Sequence, residues 1–345
     1  MPRQSFLTLP AALLLATSLA LLNGCSRAPE TETLQGQTMG TYWSVRLVVP
    51  EDRRQLEGLR TDIEQALDLV DRQMSTWRDD SDLTRFNRLE AGESMTVPAE
   101  FGLVLEASLE LAELSDGFFD PTIGPLVNLW GFGPDGRRDE PPADEEIEST
   151  MARVGWHRLD YDPATRELTQ PGGAYLDFSG IAKGYAADLV GEQLITRGIH
   201  DFIVDIGGDM VVRGHRPDGD PWRIAIERPD PAKRDIFSII EVGDKAIVTS
   251  GSYRNFFEYG ELQFSHTIDP HTGRPIPQEL VSVTVVHDTS KMADGLATAI
   301  TALGADAGYE FAREHGIAAL LLILDDDTVV ERMTDEFAVY LQPEY

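Results

Sequence analysis

Asp294 and Thr298 stand four residues apart in Ala293-Asp294-Gly295-Leu296-Ala297-Thr298, where the apolar spacing predicts a helix over 292–303. Residues i and i+4 share a helix face, so a carboxylate and a hydroxyl are presented together. Two hard oxygens so placed suit Mg²⁺, which keeps part of its water shell and takes further ligands from phosphate. The same spacing also fits a plainer arrangement, with Asp294 capping the helix and Thr298 packed inside. Just upstream, Ser265-His266-Thr267-Ile268-Asp269-Pro270-His271-Thr272-Gly273 offers His266 as a general base or as an ordinary hydrogen-bonded histidine.

Two glycine-bearing stretches could meet a phosphate. Leu176-Asp177-Phe178-Ser179-Gly180-Ile181-Ala182-Lys183-Gly184-Tyr185 reads as a strand passing through a small-residue turn into a helix. Such a turn exposes backbone N–H groups, and Lys183 adds charge. The G-x-x-x-x-G-K-[ST] spacing of a P-loop is absent. Val204-Asp205-Ile206-Gly207-Gly208-Asp209 is a second strand, running into paired glycines that allow close backbone approach, with Asp209 as a possible acceptor.

The elements that must position these residues are legible in part. Trp43, Val45, Leu47 and Val49 alternate as in a strand, and Leu56, Leu59, Ile63, Ala66, Leu67, Val70 and Met74 recur at helical spacing. A second helix is predicted from Pro98, and a third over 181–197. Further strands are predicted over 175–178, 202–206, 222–226, 246–248, 262–268, 281–287 and 318–324. Strands and helices without strict βαβ repetition predict an α+β fold. The polar, acidic, proline-bearing stretch over 134–150 is expected to be a surface excursion.

The chain has 345 residues, 59 Asp+Glu against 29 Lys+Arg and a net charge of −30. A field of that sign repels phosphate backbones, which argues against nucleic-acid binding through a broad basic face. Only four lysines occur, and an acid-rich, lysine-poor surface suits high salt. The single cysteine, Cys25, excludes an internal disulfide and a cysteine-based metal cluster. It closes a leader in which Arg3 precedes a short apolar run from Pro10 to Leu22. Leu22-Asn23-Gly24-Cys25 resembles a bacterial lipobox, so residues 1–24 are expected to be a lipoprotein signal peptide, Cys25 the lipidation site, 25–36 a tether and 37–341 the folded unit.

The ordered motifs resemble one family. Thr38-Met39-Gly40-Thr41-Tyr42, Met74-Ser75-Thr76-Trp77 and Ser81-Asp82-Leu83-Thr84-Arg85-Phe86-Asn87 come first. Gly117 to Gly133, the three clusters above and Thr249-Ser250-Gly251-Ser252-Tyr253-Arg254-Asn255 complete the set. Together they resemble the ApbE family, the FAD:protein FMN transferases, from about Gln37 to the C-terminal region. The resemblance implies a single catalytic unit of α+β, T-fold-like architecture, with mixed sheets and packed helices. It implies FAD as substrate, Mg²⁺ as cofactor, and transfer of FMN to a threonine hydroxyl of an exported target, with release of AMP.

Carried over residue by residue, the resemblance places flavin and nucleotide contacts at Met39, Trp77, Phe118, Phe119, Asp120, Asp177, Lys183 and Ile268. It places the metal on Asp294, Thr298 and the carbonyl of Gly180. Trp77 stands where a tyrosine is common, and Phe118 where a smaller residue is common. A neutral hydroxyl nucleophile needs a proton acceptor; His266 is the candidate by type, with Asp269 a second. The partners implied are FAD, a periplasm-facing redox subunit and, through the lipid, the periplasmic side of a bacterial membrane, expected to be the inner one. Two other functions use the same residues: a Mg²⁺-dependent FAD pyrophosphatase, and a lipid-anchored flavin-binding protein without turnover. Formation of AMP from FAD separates the last from the other two.

Overall fold

The computed structural model describes residues 30–138, 140–229, 235–251, 256–259, 262–277, 279–325 and 328–341. Cys25 and the stretch Ser252 to Asn255 lie outside the described residues. Among the described residues no helix is long and apolar enough to cross a membrane.

Eight strands form one sheet whose spatial order is chain order: β1 (Thr31–Thr38), β2 (Thr41–Val48), β3 (Phe202–Ile206), β4 (Asp209–Arg213), β5 (Ala246–Gly251), β6 (Leu280–His287), β7 (Ala318–Asp325) and β8 (Thr328–Met333). Every neighbouring pair is antiparallel. The α+β expectation holds, with the helices carried in the connections. Among the described residues five of them have ten residues or more: α1 (Leu59–Met74), α2 (Ala99–Leu114), α3 (Ala182–Thr196), α4 (Ser290–Leu303) and α5 (Ala305–Glu314).

Alternation along the strands sends side chains to two cores. Val45, Val204, Val211, Val248, Val283 and Leu321 face the helices, where they join Ile63, Leu67, Leu105, Val190 and Ile300. Val212, Ile247, Val286, Leu320 and Leu322 face the other way, under a ribbon formed by Ile224–Glu227 and Ile236–Ile240. Helix α3 packs on β3 and β4, and α4 on β5 and β6. The two helices lie against each other at Gly184, where an added Cβ would come within 2.3 Å of the Ser290 carbonyl oxygen.

Three boundaries differ from the sequence expectation. Thr31–Thr38 pairs with Thr41–Val48 along its whole length, so ordered structure begins within the stretch 25–36 expected as tether. Residues 175–178 are extended but belong to no sheet. Asn87 takes the place of a partner strand: Leu176 N donates to its Oδ1 at 2.7 Å, and its Nδ2 donates to Leu176 O at 2.9 Å. The acidic excursion contains a helix, Asp144–Met151, which buries Ile147 against Leu126, Trp130 and Ile268.

Candidate active site

Two two-residue hairpin turns lie side by side at one end of the sheet. Met39 and Gly40 (φ 43° and 73°) join β1 to β2, while Gly207 and Gly208 (φ 63° and 105°) join β3 to β4. Gly207 N donates to Tyr42 O at 3.0 Å, and a Cβ on Gly207 would lie 2.8 Å from the Thr41 side chain. Beside these turns opens a cleft of about 810 Å³. Its lining brings together Trp77, Phe118, Phe119, Asp120, Asp177, Gly180, Lys183, His266, Ile268, Asp294 and Thr298, from segments more than 200 residues apart. Met39 is the exception among the expected contacts. It is half-buried against the helix-side core and is not part of the lining.

The charged centre is built where α3 meets α4. Lys183, in the first turn of α3, donates from Nζ to Asp209 Oδ2 at 2.9 Å and lies 3.5 Å from Asp294 Oδ2. Gly184 N donates to Asp294 Oδ2 at 3.2 Å, so the open N-terminus of α3 also faces that carboxylate. Asp294 is the fifth residue of α4 and does not cap it. Burial opposes the charge of Lys183, but the two carboxylates outweigh it and hold its pKa above the ordinary value. Burial, then repulsion from Asp294, push Asp209 well above the usual carboxylate range. One ammonium between two carboxylates leaves the cluster short of positive charge.

Thr298, one turn after Asp294, donates from Oγ1 to Gly180 O at 3.4 Å. A Cβ on Gly180 would press within 3.0 Å of Thr298, so glycine permits that approach. Two oxygens bound side by side to Mg²⁺ at its usual bond length are about 3 Å apart, so these residues fit the ion expected of them. Among the described residues no group of three or more His, Cys, Asp or Glu side chains could hold a metal. The expected donor set is a carbonyl, a hydroxyl and one carboxylate, a combination that clustering of acids would not reveal.

The remaining expected residues divide between wall and scaffold. Trp77 is 69% exposed and free to stack on a planar ligand. Phe118 rests on the His271 ring at 4.4 Å between centroids. Phe119 and Ile268 touch the cleft but are buried, Phe119 in the helix-side core and Ile268 in the cluster under the acidic excursion. Asp120 holds its own loop. Thr122 N and Oγ1 each donate to its Oδ1 at 2.7 Å, and Trp156 N donates to Oδ2 at 3.1 Å. Asp177 accepts from the N–H and hydroxyl of Ser179, and burial raises its pKa, as it does that of Asp120. His266 stands edge-on to Phe132. Asp209 was expected only as an acceptor beside the paired glycines, and its pairing with Lys183 was not foreseen. The expected site omitted Arg137, which no local pattern marks.

An antiparallel α+β body with polar and aromatic side chains gathered along one cleft has the layout of an enzyme acting on a small molecule. The chain belongs to the ApbE family, whose sequence model matches residues 39–321. Among curated relatives, the FAD:protein FMN transferase of Vibrio cholerae is 41% identical over 324 residues, 94% of this chain and 97% of that protein. That of Salmonella typhimurium is 37% identical over 331 residues, 93% and 94% of the two chains. The solved flavin transferase ApbE from Vibrio cholerae superimposes with a TM-score of 0.83 at 39% identity, covering 91% of this chain and all of that one. The apo form of the flavinyl transferase ApbE of Pseudomonas stutzeri gives 0.84 at 38% identity, covering 92% and 98%. The chain is thus an enzyme, a flavin transferase.

Proposed function

We propose that this enzyme transfers FMN from FAD to a threonine hydroxyl of an exported protein, releasing AMP, with Mg²⁺ bound at Gly180, Asp294 and Thr298. The observation that carries this reading is the cluster of Lys183, Asp209 and Asp294 beside the facing oxygens of Gly180 and Thr298. In the reaction the threonine oxygen forms a bond to the phosphorus nearer riboflavin. The bond from that phosphorus to the bridging oxygen breaks, and AMP departs. Mg²⁺, when bound, supplies charge to the diphosphate oxygens.

The protein's own residues do the rest. Asp294, fixed by Gly184 N, and Thr298, fixed against Gly180, keep their oxygens in the lining of one cleft. Lys183, pinned by Asp209, keeps an ammonium beside them without a mobile side chain. His266 accepts the threonine proton as the new bond forms. Trp77 and Phe118 bound the planar rings of the dinucleotide.

The test is incubation with FAD, Mg²⁺ and candidate periplasm-facing redox subunits, followed by mass measurement of the acceptor. A gain of one FMN on a threonine, with AMP in equal amount, is expected. AMP and free FMN without a modified acceptor would instead identify an FAD pyrophosphatase. We further propose that residues 1–24 are removed and that Cys25 carries lipid, tethering the enzyme to the periplasmic side of the inner membrane. An unmodified Cys25 in the mass spectrum of the membrane fraction would refute the anchor.

A further inference from the structure

Four carboxylates line the cleft: Asp120, Asp177, Asp209 and Asp294. Asp120 and Asp177 are satisfied by local hydrogen bonds, while Asp209 and Asp294 share Lys183. A dinucleotide with two phosphate charges must therefore enter a negative cleft on a molecule of net charge −30. Among the described residues, the one other lysine or arginine in the lining is Arg137.

The chain around Arg137 separates it from its neighbour. Arg138 is tied down: its guanidinium meets both carboxylate oxygens of Glu146 at 3.2 and 3.3 Å and donates to Glu140 O at 3.3 Å. Arg137 has no hydrogen bond or ion pair to any described residue and lies in the cleft wall with Gly131, Phe132, Gly133 and Gly136. This turn is held from behind. Gly131, at φ 79°, passes so close to residues 137 and 138 that an added Cβ would lie 2.8 Å from Arg138 N and 3.2 Å from Arg137 Cα. Trp130, the residue before, donates from Nε1 to Gly273 O at 2.8 Å. A fixed turn thus presents a guanidinium without a partner among the described residues to a cleft whose lysine ammonium is already engaged.

From this arrangement we infer that Arg137 is a phosphate-binding residue of the site, contributing the positive charge that Lys183 cannot spare to the diphosphate of the dinucleotide. The guanidinium offers two parallel N–H donors to a phosphate, which a solvated lysine would not reproduce in full. The inference rests on FAD being the substrate.

Arg137 is exposed, so replacing it leaves the core untouched. The experiment compares Arg137→Gln and Arg137→Lys with wild type for FAD and riboflavin binding, read by flavin fluorescence with Mg²⁺ present. FAD affinity is expected to fall about tenfold in Arg137→Gln, a charged hydrogen bond at an open site being worth at least that. Arg137→Lys should recover part of the loss, and riboflavin, which lacks phosphate, should bind all three alike. Unchanged FAD affinity in Arg137→Gln overturns the assignment. So does an equal loss for riboflavin, or a rise confined to the KM of the acceptor protein, which would give Arg137 to the acceptor. Failure of wild type to bind FAD at all would overturn the substrate reading itself, and is seen separately in the wild-type titration.

Discussion

At the residue scale, the proposed reaction divides its labour between side chains that hold charge and one that would move a proton. Replacing Asp294 with Ala removes the second carboxylate beside Lys183 and the acceptor of Gly184 N. Transfer is expected to fall by roughly 10²–10³, the usual cost of losing an electrostatic stabiliser, and the remaining rate should no longer respond to Mg²⁺. A titration of rate against Mg²⁺ measures both. His266→Ala should behave differently, leaving FAD affinity intact while transfer drops by about 10²–10⁴. If that variant transfers FMN at the normal rate, the proton goes elsewhere, with Asp269 next in line. Asp294, Thr298, Lys183 and His266 were all legible from type and spacing. The hydrogen bonds of Asp120 to Thr122 and Trp156, which hold its loop beside the cleft, were not, because no motif encodes those contacts.

At the element scale, the site depends on α3 and α4 touching at Gly184, since Lys183 and Asp294 come from opposite sides of that contact. Gly184→Ala would drive a methyl into the Ser290 carbonyl. It is expected to cost about 1–3 kcal/mol in thermal unfolding and to lower transfer further by separating the helices. The start of α4 is held by a residue of α3: Ser290 N and Lys291 N donate to the Asp188 carboxylate at 2.7 and 2.9 Å. Burial outweighs these bonds and pushes Asp188 up to about 6. The folded state therefore binds this proton more tightly than the unfolded chain. Stability should fall as pH rises from about 4 to about 6, by at most ~3 kcal/mol from this group. Asp188→Asn should remove that slope from denaturation curves recorded across the window. Periodicity predicted α1, α3 and α4 well, but not β1 or β8. Their burial is only partial, because each lies at an edge of the sheet, so strict alternation is weak there.

At the scale of the whole molecule, the charge of −30 and an anionic substrate pull in opposite directions. Salt screens the distant carboxylates more than it screens cations inside a cleft. FAD affinity measured from about 0.05 to 0.5 M salt, a range that shortens the Debye length several-fold, is therefore expected to hold or tighten. A steep loss would mean that attraction, and not repulsion, dominates the approach. The path of β1 also bears on placement. It runs from Thr31 to the turn beside the cleft, about 25 Å at the rise of a strand, and the six residues from Cys25 to Thr31 span at most about 20 Å more, so a lipid at Cys25 would leave the cleft within about 45 Å of the anchor. The sequence alone determined the family, the α+β class, the helices that carry Lys183 and Asp294, and the residue types at the reacting centre, because these follow from local order and periodicity. Tertiary structure alone decided which of them meet. It moved Met39 out of the lining, set Lys183 between Asp209 and Asp294, replaced a predicted strand at 175–178 with the amide of Asn87, and turned Arg137 toward the cleft. Each of those outcomes rests on contacts between segments far apart in the chain, and neither composition nor spacing specifies such contacts.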